Sequence, residues 1–149
     1  TCGAWWADDI CHDGTPNGYA VYEVDGSDVR WRYKSTGRPA DEQIRLYARG
    51  SDPSAPGEVV ANVWDADPEW DVRLYVNGEP RGPMAPRVGL DPWAVERFDG
   101  PDAPEHRPWV QPLATSHMYY APVGPGANDI LVEATDRFGR TYTARPIGR

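Results

Sequence analysis

Residues 13–37 read DGTPNGYAVYEVDGSDVRWRYKSTG, and the alternation in this stretch decides the fold class. Asp13-Gly14 and Asn17-Gly18 are turn signals on either side of an extended Thr15-Pro16 step. Two alternating runs follow, joined by Asp25-Gly26-Ser27-Asp28, and together they read as a β-hairpin. In the second run Val29, Trp31 and Tyr33 point one way and Arg30, Arg32 and Lys34 the other, because side chains alternate along a strand. A lone two-stranded hairpin is marginal in water. In a chain that opens on Thr1, this one is expected to be the last edge of a larger sheet that precedes it.

Outward from the hairpin, residues 43–48 (QIRLYA) predict a third short strand. Residues 50–57 (GSDPSAPG) have linker composition and mark a domain boundary. Residues 58–64 (EVVANVW) are apolar on both faces, which suits a strand covered on both sides. Residues 72–76 (VRLYV) alternate and end in Asn77-Gly78, a tight-hairpin signal. Residues 116–121, 129–136 and 140–145 are the remaining strands, the last two joined by a turn over Arg137-Phe138-Gly139. From Pro83 to Pro112 there are seven prolines, so no central strand is expected there. Asp91 and Pro92 fit the N-cap and first position of a short helix over 93–98. The long loop carries Trp93, Phe98 and Trp109, which predicts that it is pinned to the body.

With 16 Pro, 15 Gly and 40% hydrophobic residues, the chain reads as turn-rich and all-β with enough apolar material for a core. The expected architecture is a hairpin or meander over 1–50 and an immunoglobulin-like β-sandwich over 51–149, with one long Pro-rich loop. A net charge of −8 argues against a nucleic-acid partner. The densest basic stripe, Arg30/Arg32/Lys34 with Arg45 and Arg49 beyond it, reads as a solvated strand face or as a patch for an acidic neighbouring domain or an anionic substrate. No apolar run approaches the roughly 18 residues of a membrane span, and no signal peptide is visible.

Nucleophilic catalysis has no support: there is no Gly-x-Ser-x-Gly elbow, phosphate loop or dinucleotide fingerprint. His12, His106 and His117 are scattered, and His117, within the 116–121 strand, reads as a packed or rim histidine. Asp65, Asp67 and Asp71 offer carboxylates for calcium, but Trp70 and Val76 stand where the calcium loop needs its glycine and bidentate glutamate. Cys2 and Cys11 are the two cysteines. A disulfide between them would close a short loop around Trp5 and Trp6 and add about 2–3 kcal/mol; two part-buried thiols are the alternative. Of the seven tryptophans, Trp31 and Trp64 fall in strand patterns and read as core. Trp5, Trp6, Trp70, Trp93 and Trp109 lie outside strands and are the ones that could be exposed; they serve either core or interdomain packing or a sugar-stacking platform.

Several ordered motifs carry a family resemblance. They are Cys2-Gly-Ala-Trp-Trp6, Asp13-Gly-Thr-Pro-Asn-Gly-Tyr19, Trp31-x-Tyr33-Lys34, Gln43-x-Arg45, Asn62-Val-Trp-Asp-Ala-Asp67 and Trp70. Asn77-Gly78, Asp91-Pro92, Trp109-Val110, His117 and Ala134-Thr-Asp-Arg-Phe-Gly-Arg-Thr-Tyr142 continue the series. Over nearly the whole chain they resemble the C-terminal region of bacterial calcineurin-like metallophosphoesterases. The resemblance implies an upstream catalytic domain in which two divalent metal ions clamp a phosphoryl group and activate water. The motifs of such sites, Asp-x-His, Gly-Asp-x-x-Asp, Gly-Asn-His and Gly-His-x-His, do not occur in this sequence. The chain is therefore expected to be non-catalytic alone, its parent a hydrolase of phosphoesters. Residues 1–50 would close the catalytic domain's sheet, and the sandwich would pack on that domain or shape the rim of its active site. Trp5, Trp6, Trp70, Trp93, Trp109 and His117 are the candidates for that contact or rim. The competing reading is a module that targets an attached enzyme to glycan or cell-wall polymer. The hairpin is expected to fold back onto the sandwich or pair with another copy. The compartment stays open, with a secreted or periplasmic one favoured.

Overall fold

The computed structural model describes residues 9–101, 103 and 109–147. The expected hairpin is β1 (Gly18–Asp25) and β2 (Asp28–Ser35), paired antiparallel with Tyr22 opposite Trp31 and Val24 opposite Val29. Next come β3 (Ile44–Tyr47), β4 (Glu58–Val63), β5 (Asp71–Val76), β6 (Glu79–Pro83) and β7 (Ala85–Gly89). The helix α1 (Pro92–Asp99) precedes β8 (Thr115–Pro122), β9 (Ile130–Thr135) and β10 (Thr141–Ala144). Apart from the hairpin, the strands form two four-stranded sheets, in the orders β10-β9-β5-β6 and β3-β4-β8-β7.

The two sheets face each other across one core. Val59, Ala61, Val63, Tyr119 and Ala121 come from one sheet; Val72, Leu74, Val132, Ala134 and Tyr142 come from the other. This is the all-β sandwich the turn-rich sequence predicts. β4 is covered on both faces, as its uninterrupted apolar run requires. Val59, Ala61 and Val63 enter the inter-sheet core, while Val60 joins Tyr47, Met118 and Tyr120 on the outer side, with Trp93 packed against them. β3 lies before the 50–57 linker yet is hydrogen-bonded to β4, so this sheet draws a strand from each side of the linker.

Asn77 and Gly78 both take left-handed φ, +55° and +81°, which closes the β5–β6 hairpin as a two-residue turn whose twist matches its strands. The proline-rich stretch holds no central strand, but it does hold β7. That strand escapes the proline argument by lying at a sheet edge, where Pro86 sacrifices no ladder bond on its open side. The loop is pinned by a small second core of Ile10, Ala94, Phe98 and Val110. The main-chain bond from Leu113 N to His12 O adds to it. At the far edge of the same sheet, Pro146 lies parallel to Leu46, and Ile147 N donates to Leu46 O.

Among the described residues, the hairpin's contacts with the body lie at its root and its middle. Tyr33 is buried edge-on against Trp64, and its hydroxyl donates to Pro16 O. Trp31 packs edge-on to Phe138 at 4.8 Å, Arg137 lies over its ring, and Arg140 donates to its carbonyl. Toward the tip this apolar face loses its cover: Tyr22 is 64% exposed, Val24 68% and Val29 45%.

Candidate functional site

A chain of buried polar groups joins the segment before the hairpin to the outer face of the sandwich. At its centre is Asp91, fully buried. Its Oδ1 caps α1 by accepting from Ala94 N at 2.9 Å, and Pro92 supplies the φ of the first turn. Tyr47 OH donates to the same carboxylate at 2.7–2.8 Å, and Asn62 Nδ2 donates to Oδ2 at 2.8 Å. Burial pushes the Asp91 carboxyl above its ordinary range, against the pull of these donors. Burial and the adjacent Asp91 charge likewise push the Tyr47 hydroxyl up, so it stays a donor. Nearby, the Arg45 guanidinium stacks 3.4 Å from the centre of the Trp93 ring, its charge disfavoured by burial.

From Asn62 the chain runs outward. Its Nδ2 also donates to Asp13 O at 2.9 Å, and its Oδ1 meets His117 Nδ1 at 2.8 Å. The other ring nitrogen of His117 lies 3.3 Å from Asp13 Oδ2. Burial raises the Asp13 carboxyl, but the bond to His117, the Thr15 amide and the His117 charge outweigh it and hold it at about 2. Asp13 and His117 border an open cavity of about 510 Å³, with Cys11, Asp65 and Thr115 on its walls. A larger groove, about 1340 Å³, lies between the 48–55 loop and α1 over Tyr47 and Tyr120; Arg49, Arg87, Asp52 and Glu96 mix both charge signs around it.

The depressed Asp13 pKa has a testable sign. The folded chain binds the carboxyl proton less readily than the unfolded chain, whose value is near 3.8. Its contribution to stability is thus full above that value and is lost as pH falls toward 2. Urea midpoints of the wild type and Asp13→Asn should therefore converge over that interval, with Asp91 common to both; a constant separation would show that Asp13 is not held ionised.

The structure places the sequence-predicted residues unevenly. His117 is joined to Asp13 and, through Asn62 and Asp91, to the helix that carries Trp93. Trp70 stacks on Tyr142 at 5.9 Å, away from this chain of bonds. Trp109 is 66% exposed. Trp5, Trp6 and Cys2 lie outside the described residues; Cys11 is half-buried, with Sγ 3.9 Å from Asn17 Oδ1. The acidic turn is engaged internally: Asp67 accepts from Glu69 N and pairs with Arg137, and Asp71 pairs with Arg73. Among the described residues no three His, Cys, Asp or Glu side chains converge on a common ion position. Sequence reasoning missed Tyr47, Asn62 and the hub role of Asp91. The one available signal was Asn62, a lone polar residue inside the apolar run of β4.

A family model described as the C terminal of calcineurin-like phosphoesterase matches residues 1–142. Neither the curated proteins nor the solved structures gave a significant match. The match runs from the segment before the hairpin through both sheets to β10, and the chain belongs to this family, the C-terminal region of calcineurin-like phosphoesterases.

Proposed function

We propose that this chain is the non-catalytic C-terminal part of a metal-dependent phosphoesterase and that the β1–β2 hairpin is its docking element for the catalytic domain. The observation that carries the reading is the hairpin's uncovered tip. Tyr22, Val24 and Val29 present one apolar face to solvent, and among the described residues neither β1 nor β2 has a further strand beside it. A two-stranded ribbon with open edges and an exposed apolar face is suited to joining another sheet. We draw the seam after the hairpin, since β3 is already bonded into the sandwich. In this reading the two divalent ions and the phosphoester belong to the catalytic domain, and Trp109, with Trp5 and Trp6, is the further candidate for contact. Of the described tryptophans only Trp109 is broadly exposed, so they supply no row of rings for sugar stacking.

The test is binding between this chain and the separately produced catalytic domain encoded upstream. The double substitution Tyr22→Ser/Val24→Ser should weaken binding by at least tenfold, from about 2–3 kcal/mol of lost apolar burial. The variant's own melting temperature should stay within about 2 °C of wild type, since both side chains are already exposed. Unchanged binding by the variant would remove the hairpin from the interface. A concentration-dependent dimer of the chain alone, abolished by the same change, would assign the face to a second copy.

A further inference from the structure

Asn62 fits its surroundings only one way round. Its Nδ2 reaches two acceptors, Asp13 O and Asp91 Oδ2, and exchanging the amide ends would set an oxygen against both. Its Oδ1 therefore faces His117, and His117 Nδ1 must carry a proton to bond it. Nε2 of the same ring faces Asp13 Oδ2. Asp13 is ionised at neutral pH, and its second oxygen already accepts from Thr15 N at 2.9 Å. A carboxylate accepts and does not donate, so Nε2 must carry a proton as well.

We infer that His117 is held as the doubly protonated imidazolium and that this cation is a pH-operated latch, fastening the root of the hairpin to the sandwich. The fastened segment is closed on itself: Cys11 N donates to Thr15 O, and Asn17 N to Asp9 O. Asn17 O in turn accepts from Thr36 N, just beyond β2. Holding Asp13 therefore sets the direction in which the hairpin leaves the body. Asp13 faces His117 from the segment before the hairpin, Asp65 and Asp67 from the β4–β5 turn, and Asp91 acts through Asn62 from the start of α1. Arg137 is the cation packed on this turn, and it is paired with Asp67. Cys11 and Thr115 complete the wall.

The sign follows from proton counting. The closed latch binds a proton that the open one releases, so acidification closes it and alkalinisation opens it. Loss of the Nε2 proton would set a lone pair against the Asp13 carboxylate. The latch stands on this geometry and on an ionised Asp13; only its value for presenting the hairpin to a catalytic domain rests on the function proposed above.

Long-range proton–nitrogen NMR of the histidine rings tests it, recorded with amide exchange across roughly pH 5.5 to 9. Both ring nitrogens of His117 should be protonated while the Cys11, Thr15 and Asn17 amides are protected. As Nε2 loses its proton, exchange at these amides should accelerate by about ten- to hundredfold beyond the intrinsic pH effect followed at β9, the loss expected for a charge-assisted hydrogen bond. His117→Gln should abolish that step, and His12→Gln should keep it. A neutral ring with bare Nε2 while the three amides stay protected would overturn the inference, as would an unchanged step in His117→Gln. Because the ring and exchange measurements use the wild-type chain, they decide the matter even if a variant folds poorly. Catalytic-domain binding plays no part in this readout, so failure of the docking proposal and failure of the latch are separately visible.

Discussion

Asp91→Ala is expected to lower stability by about 3–4 kcal/mol, or about 10 °C in melting temperature for a chain of this size. Three losses combine. The cap on α1 accounts for about 1 kcal/mol. Tyr47 OH and Asn62 Nδ2 each lose the carboxylate they donate to, and a buried donor without its acceptor costs about 1–3 kcal/mol. The gain from no longer burying a carboxylate, which already titrates high for that reason, offsets part of this sum. Asp91→Asn should fall between wild type and Ala, because one oxygen can still accept while the new NH₂ opposes existing donors. Urea unfolding of the three proteins gives the ranking. A loss under about 1 kcal/mol for Asp91→Ala would mean that Tyr47 and Asn62 find other acceptors.

Gly14→Ala should cost nearly as much, about 3 kcal/mol, and from the opposite side of the same contact. Gly14 sits at φ +78°, where a Cβ costs about 1–2 kcal/mol in backbone strain. A Cβ built there would also overlap Asp91 Cβ and Cγ. That side chain cannot swing aside without giving up the Tyr47, Asn62 and Ala94 bonds. Gly26 separates the two terms. It has a similar φ of +61° at the hairpin tip, with nothing within 4 Å of the added carbon. Gly26→Ala should therefore show the strain alone. Equal losses at the two glycines would mean that Asp91 yields and that the contact is soft.

What the sequence revealed follows from how far apart the interacting residues lie. The hairpin, the Asn77-Gly78 turn and the Asp91-Pro92 helix start are local signals, each complete within a few residues, and each is present in the fold. The double cover of β4 was also readable, because burial on both faces leaves an uninterrupted apolar run. β7 was hidden because proline signals what a strand cannot be, a central one, and is silent about edges. The pairing of Asp13 with His117 was hidden for a different reason. An Asp in a turn and a His in a strand have many harmless uses, and only the closing of the sandwich brings these two within reach. Asn62 stood out within β4, yet nothing local identifies its partners. The tryptophans outside strands carried no local signal of their partners: Trp70 stacks on Tyr142, and Arg45 lies over the ring of Trp93.

The short parallel pairing of Ile147 and Pro146 with Leu46 also has a consequence in time. β10 belongs to the sheet of β9 and β5, yet the residues just after it bond to β3 of the opposite sheet. This stitch joins residues far apart in the chain and has a large loop-closure entropy to overcome. During synthesis β3 and β4 emerge before Pro146 and Ile147, and the outer edge of β3 stays open until those two residues have been made. The exposed strand edge is then most vulnerable to pairing with a neighbouring chain, and Pro146 and Ile147 act as the closure that ends that interval.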